Sequence, residues 1–93
     1  MNVELLDDGK KGAFKAVENN VQAGLMTFTW AGENKFIIDH TEVNDDFRGK
    51  SVGKIMVMAA VDFARDKDIK ILPLCPFAKS VFDKMEEIND VRA

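Results

Sequence analysis

Ninety-three residues, 46% hydrophobic and 31% charged with a net charge of −3, describe one domain of ordinary soluble composition. Basic residues interspersed among acids argue against a nucleic-acid or membrane-surface binder, and a lone cysteine excludes an intrachain disulfide or a multi-cysteine zinc site. No apolar run nears the roughly 18 residues of a membrane span, and Met1 leads into polar sequence, so a cytoplasmic protein is expected.

The first half of the chain reads as an antiparallel meander. Asn2 to Leu6 has the pattern of a short edge strand, and Asp7-Asp8-Gly9-Lys10 is a turn signal. Ala13 to Val17 alternates as a strand should. Asn19-Asn20 supplies the next turn, because asparagine tolerates left-handed dihedrals. Val21 to Ala31 is a longer strand in which Gly24 marks a bulge or a close backbone approach. Met26, Phe28 and Trp30 share one of its faces, as core or as the wall of an acceptor groove. Gly32-Glu33-Asn34 closes a third hairpin, and Lys35 to Val43 follows as a strong β-branched strand.

After Val43 the period changes. Val52, Ile55, Met56, Ala59, Ala60, Phe63 and Ala64 repeat at helical spacing, and the alanines suit close packing on a sheet. Ile69 to Cys75 reads as a short strand, parallel to Lys35–Val43 because a helix joins the two. Pro76 opens a second helix with Phe77, Val81, Phe82 and Met85 on its apolar face. The tail from Glu86 to Ala93 reads as a frayed turn.

The stretch from His40 to Lys54 joins the strand to the first helix, and its chemistry dominates the chain. Strand, loop and helix N-terminus in that order direct backbone N–H groups outward and favour an anion. Arg48, Lys50 and Lys54 fall within seven residues, and Gly49 and Gly53 let a ligand approach the backbone. A pyrophosphate cradle is the expected role. Two common phosphate motifs do not apply. Gly49 and Gly53 are one residue too close for a P-loop, with Ile55 where a hydroxyl belongs, and no dinucleotide-type glycine spacing exists.

Arg48-Gly49-Lys50-Ser51-Val52-Gly53 resembles the acetyl-coenzyme A loop of the Gcn5-related N-acetyltransferases. That loop runs Arg or Gln, two residues, Gly, one residue, then Gly or Ala. Ser51 stands in place of its first glycine and can instead cap the helix by accepting an N–H hydrogen bond. His40-Thr41-Glu42-Val43 before the loop, the alanine-rich helix and Pro73-Leu74-Cys75-Pro76-Phe77 after it look like the small single-domain branch of that superfamily. The resemblance implies an α/β (α+β) fold over residues 1–93. Its sheet would be mixed and mostly antiparallel, with five or six strands, one parallel pair and two main helices.

The resemblance also implies where acetyl-coenzyme A would bind. Its pyrophosphate would rest on the N–H groups from Arg48 to Gly53, aided by Lys54 and the helix dipole. Its pantetheine arm would pair with the end of the Lys35–Val43 strand, where the two parallel strands splay after Val43. Val43, Asn44, Phe47, Pro76 and Phe77 join Arg48, Gly49, Lys50, Ser51, Val52, Gly53 and Lys54 as cofactor-binding candidates, and the thioester would lie near Cys75.

Three residues are candidates for the chemistry. Cys75 precedes a helix N-terminus, which favours a thiolate able to accept an acetyl group, although a free cysteine also serves simply as packing. His40 and Glu42 share a strand face by period two, and either can act as a general base toward an incoming amine or toward Cys75. The chain has no tyrosine, the residue many larger relatives use to protonate the leaving thiolate. The expected activity is acetyl transfer to a small-molecule or protein amine, through an acetyl-cysteine or by direct attack. The alternative is a coenzyme A-binding or interaction module without turnover.

Overall fold

The computed structural model describes all 93 residues as one five-stranded sheet with a helical layer on one face. Strands β1 (Asn2–Asp7), β2 (Lys11–Glu18), β3 (Val21–Trp30) and β4 (Lys35–Val43) form an antiparallel meander, and β5 (Lys70–Pro73) adds to β4 in parallel. Helix α1 (Val52–Lys67) makes the crossover between β4 and β5, and helix α2 (Pro76–Lys84) follows β5. The expected mixed sheet, with one parallel pair and two main helices, is present.

Turn chemistry sets the hairpins. Asn19 and Asn20 take φ of 52° and 66°, the left-handed region that asparagine tolerates. Gly24 meets both expectations raised for it. The register with β2 slips beside it, and a Cβ there would lie 2.9 Å from Val52 and Met56 of α1. Its missing side chain lets α1 sit down on the sheet. Ala60 and Ala64 do the same from the helix side, whereas Ala59 stays half-buried.

The core lies between α1 and the sheet face bearing Phe14, Met26, Phe28, Phe36 and Ile38. Phe28 and Phe36 pack with ring centres 4.7 Å apart and planes tilted by 44°, and Phe63 of α1 approaches Phe36 at 6.1 Å. Met26 and Phe28 are therefore core and line no acceptor groove. Trp30 flanks them with its indole N–H on Asp7 at 2.9 Å. The opposite sheet face carries Lys15, Leu25, Thr27, Thr29, His40 and Glu42, and no helix covers it.

The C-terminal tail differs from the expected frayed turn. Glu86–Val91 forms a 3-10 helix that buries Ile88 and Val91 against the core, and Arg92 bridges to Ile71 of β5. Arg65 of α1 clamps this segment, donating to both Asp90 carboxylate oxygens at 2.8 and 3.0 Å. That fork holds the Asp90 carboxyl below the ordinary carboxylate range and raises the Arg65 guanidinium. Sequence periodicity misses such docking because two apolar residues in six carry no recognisable repeat.

Candidate functional site

The site forms where β4 and β5 part. Their parallel register runs from Lys35–Lys70 to Ile38–Pro73, and the Cys75 N–H still donates to the Ile38 carbonyl at 3.1 Å. Beyond that point the strands separate, well before Val43, where the sequence places the splay. Pro73 has no N–H to continue the ladder, and Pro76 turns the chain into α2. On β4 a register slip opposite Thr27 and Phe28 adds a kink at Asp39. The β4 edge from Asp39 to Val43 is thus left without a strand neighbour on the β5 side. Cys75, expected to end the strand, is instead the N-cap residue of α2.

Next comes the turn from β4 to α1. The Asn44 side chain accepts from the Asp46 N–H at 3.0 Å and starts a 3-10 turn over Asp45–Phe47. Arg48 is held by Asp45 at 2.9 Å. Lys50 lies over the Phe47 ring, 5.3 Å from its centre. Gly49 and Ser51 both take positive φ, 80° and 60°. The left-handed turn at Ser51 is the conformation for which glycine suits that motif position. Ser51 makes no capping hydrogen bond with its side chain, so the expected serine cap is absent.

What the turn achieves is a set of open donors. The N–H groups of Gly49, Ser51, Val52, Gly53 and Lys54 receive no acceptor from the protein itself. They surround the positive end of a 16-residue helix. Beside them a cleft of about 380 Å³ runs between α1 and α2, lined by Val43, Phe47, Arg48, Gly49, Ser51, Val52, Gly53, Lys54 and Phe77. Of the expected cofactor residues, Asn44, Lys50 and Pro76 do not line it: Asn44 borders a separate hollow, Lys50 lies over Phe47, and Pro76 is the first residue of α2.

Gly53 has a different role from the one its motif position suggests. A Cβ built on it would lie 2.5 Å from the Phe77 ring. Its bare Cα is therefore the seat on which α2 docks against α1, and Phe77 becomes a wall of the cleft. Three further lining residues, Ser80, Val81 and Lys84, are not among the cofactor-binding candidates drawn from the sequence. Their signal is the spacing Phe77, Ser80, Val81, Lys84, which is one face of a helix. The apolar pattern of α2 draws attention to its buried face instead.

The candidate catalytic residues divide between two sides of β4. Cys75 is 4% exposed, and its thiol lies 3.2 Å from the Thr41 hydroxyl. His40 is exposed on the uncovered sheet face, 3.2 Å from Glu42. Adjacent residues of a strand point to opposite faces, so Thr41 turns toward Cys75 while His40 turns away. His40 does not partner the thiol. Below the His40–Glu42 pair, Gln22, Leu25, Glu42 and Asn44 border a second, more polar hollow of about 290 Å³.

Comparison with known proteins agrees with this layout. A family model described as GCN5-related N-acetyl-transferase matches residues 13–91. The chain is similar to Protein NATD1 of Xenopus tropicalis, 28% identical over 75 residues that cover 80% of this chain and 69% of that protein. With human Protein NATD1 it is 31% identical over 51 residues, 55% of this chain and 45% of that protein. Among solved structures, a GCN5-like protein from Staphylococcus aureus superposes with a TM-score of 0.71 at 34% identity, covering 99% of this chain and 89% of that one. A ribosomal-protein-alanine N-acetyltransferase from Brucella melitensis shares the fold at 22% identity, with a TM-score of 0.73 over 87% of this chain and 64% of that one.

Proposed function

The chain belongs to the GCN5-related N-acetyltransferases, and from that premise we propose that it transfers an acetyl group from acetyl-coenzyme A to an amine of a small molecule or protein. One observation carries the reading: five unpaired N–H groups at the start of α1 open beside Arg48, Lys50 and Lys54, with a cleft leading away from them. A diphosphate fits that donor set, because its oxygens accept several N–H bonds at once and its charge meets the helix dipole. The unpaired β4 edge from Asp39 to Val43 would hold the amides of the pantetheine arm.

Acetyl-coenzyme A supplies an activated thioester, and the chain supplies position and proton handling. An acceptor reaching the uncovered sheet face meets His40 and Glu42. An amine attacks only when neutral, so a base must take its proton. The His40 imidazole fills that role, with the Glu42 carboxylate stabilising the imidazolium that results. A second reading runs through Cys75, whose thiol lies at the parting of β4 and β5. Its attack on the thioester would give acetyl-Cys75 and release coenzyme A as the thiol, after which the amine would take the acetyl group.

Calorimetry with acetyl-coenzyme A and an acceptor-amine screen test the reading together. Alanine at both Arg48 and Lys50 should weaken binding, on the order of 1.5–3 kcal/mol per charge-assisted contact and less at this exposure. Unchanged affinity would remove the cradle assignment. Intact-mass measurement after mixing separates the routes: one hydroxylamine-labile acetyl group that is lost in Cys75→Ala supports the covalent path. Tight binding with no acetylated amine would point to the module without turnover.

A further inference from the structure

The cleft continues past the pyrophosphate cradle, and its far end is cationic for no reason the cradle supplies. Lys84, the last residue of α2, lines it together with Lys54 of α1. Neither lysine forms an ion pair or a hydrogen bond with its side chain, whereas Lys79 on the same helix is bound to Asp83 at 3.3 Å. No carboxylate is among the residues lining the cleft.

Helix α2 also runs along the cleft, lining it from Phe77 to Lys84. Its N-cap is Cys75, at the parting of the strands, and its last residue is Lys84. At about 1.5 Å per residue those positions lie roughly 14 Å apart along the axis. Phe77, seated on Gly53, marks the point where the cradle begins, and Ser80 and Lys84 lie one and two turns beyond it. A ligand with its acyl end near Cys75 and its diphosphate on the α1 N-terminus therefore has its nucleotide end beside Lys84 and Lys54.

From this geometry we infer that Lys84, with Lys54, forms a phosphomonoester subsite that takes the 3′-phosphate of coenzyme A. The inference rests on the acetyl-coenzyme A reading above and extends it from the cradle, through Lys54, to Lys84 on α2. A phosphomonoester near neutral pH carries close to two negative charges and three acceptor oxygens, and two ammonium groups free of competing carboxylates suit it. The chain would then discriminate coenzyme A from its 3′-dephospho form, which has the same acyl arm and diphosphate.

Isothermal titration with both compounds on the full chain, at low and at high salt, tests this. Wild-type protein should bind coenzyme A roughly tenfold more tightly than 3′-dephospho-coenzyme A at low salt, a gap that narrows as salt screens it. Lys84→Gln should close most of the gap by weakening coenzyme A alone, and Lys84→Arg should largely preserve it. Lys84 is exposed at a helix end, so these variants should fold, and a melt on each confirms it. Equal wild-type affinity for the two compounds overturns the subsite and leaves the cofactor reading standing. Equal weakening of both by Lys84→Gln also overturns it. Binding of neither compound overturns the cofactor reading and this proposal with it.

Discussion

From Lys35 to Ile38, β4 has a strand on each edge, and Phe36 and Ile38 are fully buried. From Asp39 to Val43 the same strand has a neighbour on one edge only, and His40, Glu42 and Val43 are exposed. The first half is held by two hydrogen-bonded ladders and the cover of α1. The second half keeps backbone groups unpaired toward β5, where a ligand can use them. One strand thus anchors the domain and offers the site, and the slip at Asp39 is where the roles change. Backbone that stays open to a ligand cannot also complete a ladder, so stability and binding occupy different residues of one element.

The largest expected effect lies in the anchored half. Phe36→Ala should cost about 3–5 kcal/mol, since it removes a ring packed among Phe28, Trp30 and Phe63. In a domain whose whole stability is of order 5–15 kcal/mol, that nears unfolding. His40→Asn in the other half should leave the denaturation midpoint almost unchanged while slowing acetyl transfer about a hundredfold or more. If His40→Asn destabilises as Phe36→Ala does, the division of β4 fails.

A smaller effect tests how the helices close on the open half. Gly53→Ala puts a methyl group into the Phe77 ring and should cost about 1–3 kcal/mol. It should also weaken cofactor binding, because the cleft wall moves. Combining it with Phe77→Leu, a shorter side chain, should recover part of the stability, which thermal melts on the four proteins would show. Additive losses would mean that the two residues do not form one contact.

Ser51→Gly should be mildly stabilising, by about 0.5–1 kcal/mol, because Ser51 holds a left-handed conformation and makes no capping bond that would be lost. A lower melting temperature would show that the serine hydroxyl matters in a way the turn geometry does not reveal.

The smallest effect concerns acid. Arg65 holds Asp90 low, and Arg92 with Lys79 holds Asp83 low. A carboxyl depressed in the folded state stabilises fully above its unfolded value near 3.8, and that contribution drains away as pH falls through the lower folded values. Asp90→Asn should therefore flatten the stability curve below about pH 4 and leave it parallel to wild type near neutrality. The two clamps tie the C-terminal tail to α1 and to α2, so this part of the acid-sensitive stability should belong to the docking of the tail.

Much of this architecture is written locally. The hairpins follow from Asn19-Asn20 and the glycine turns, the helix from its 3.6-residue repeat, and the cradle from the run Arg48–Lys54 at a strand-to-helix junction. Each of these depends on residues within a few positions of one another, so the sequence alone determined them, along with the order of strands. Contacts between distant segments decided the rest. The parting of β4 and β5 at Ile38 depends on Pro73 meeting its partner. The task of Gly53 depends on a ring 24 positions further along, and Lys84 enters the cleft only because α2 docks on α1. Thr41 meets Cys75 while His40 turns outward because strand register assigns each side chain its face. Register and helix docking are set by side-chain packing across the core, which no local stretch of sequence contains.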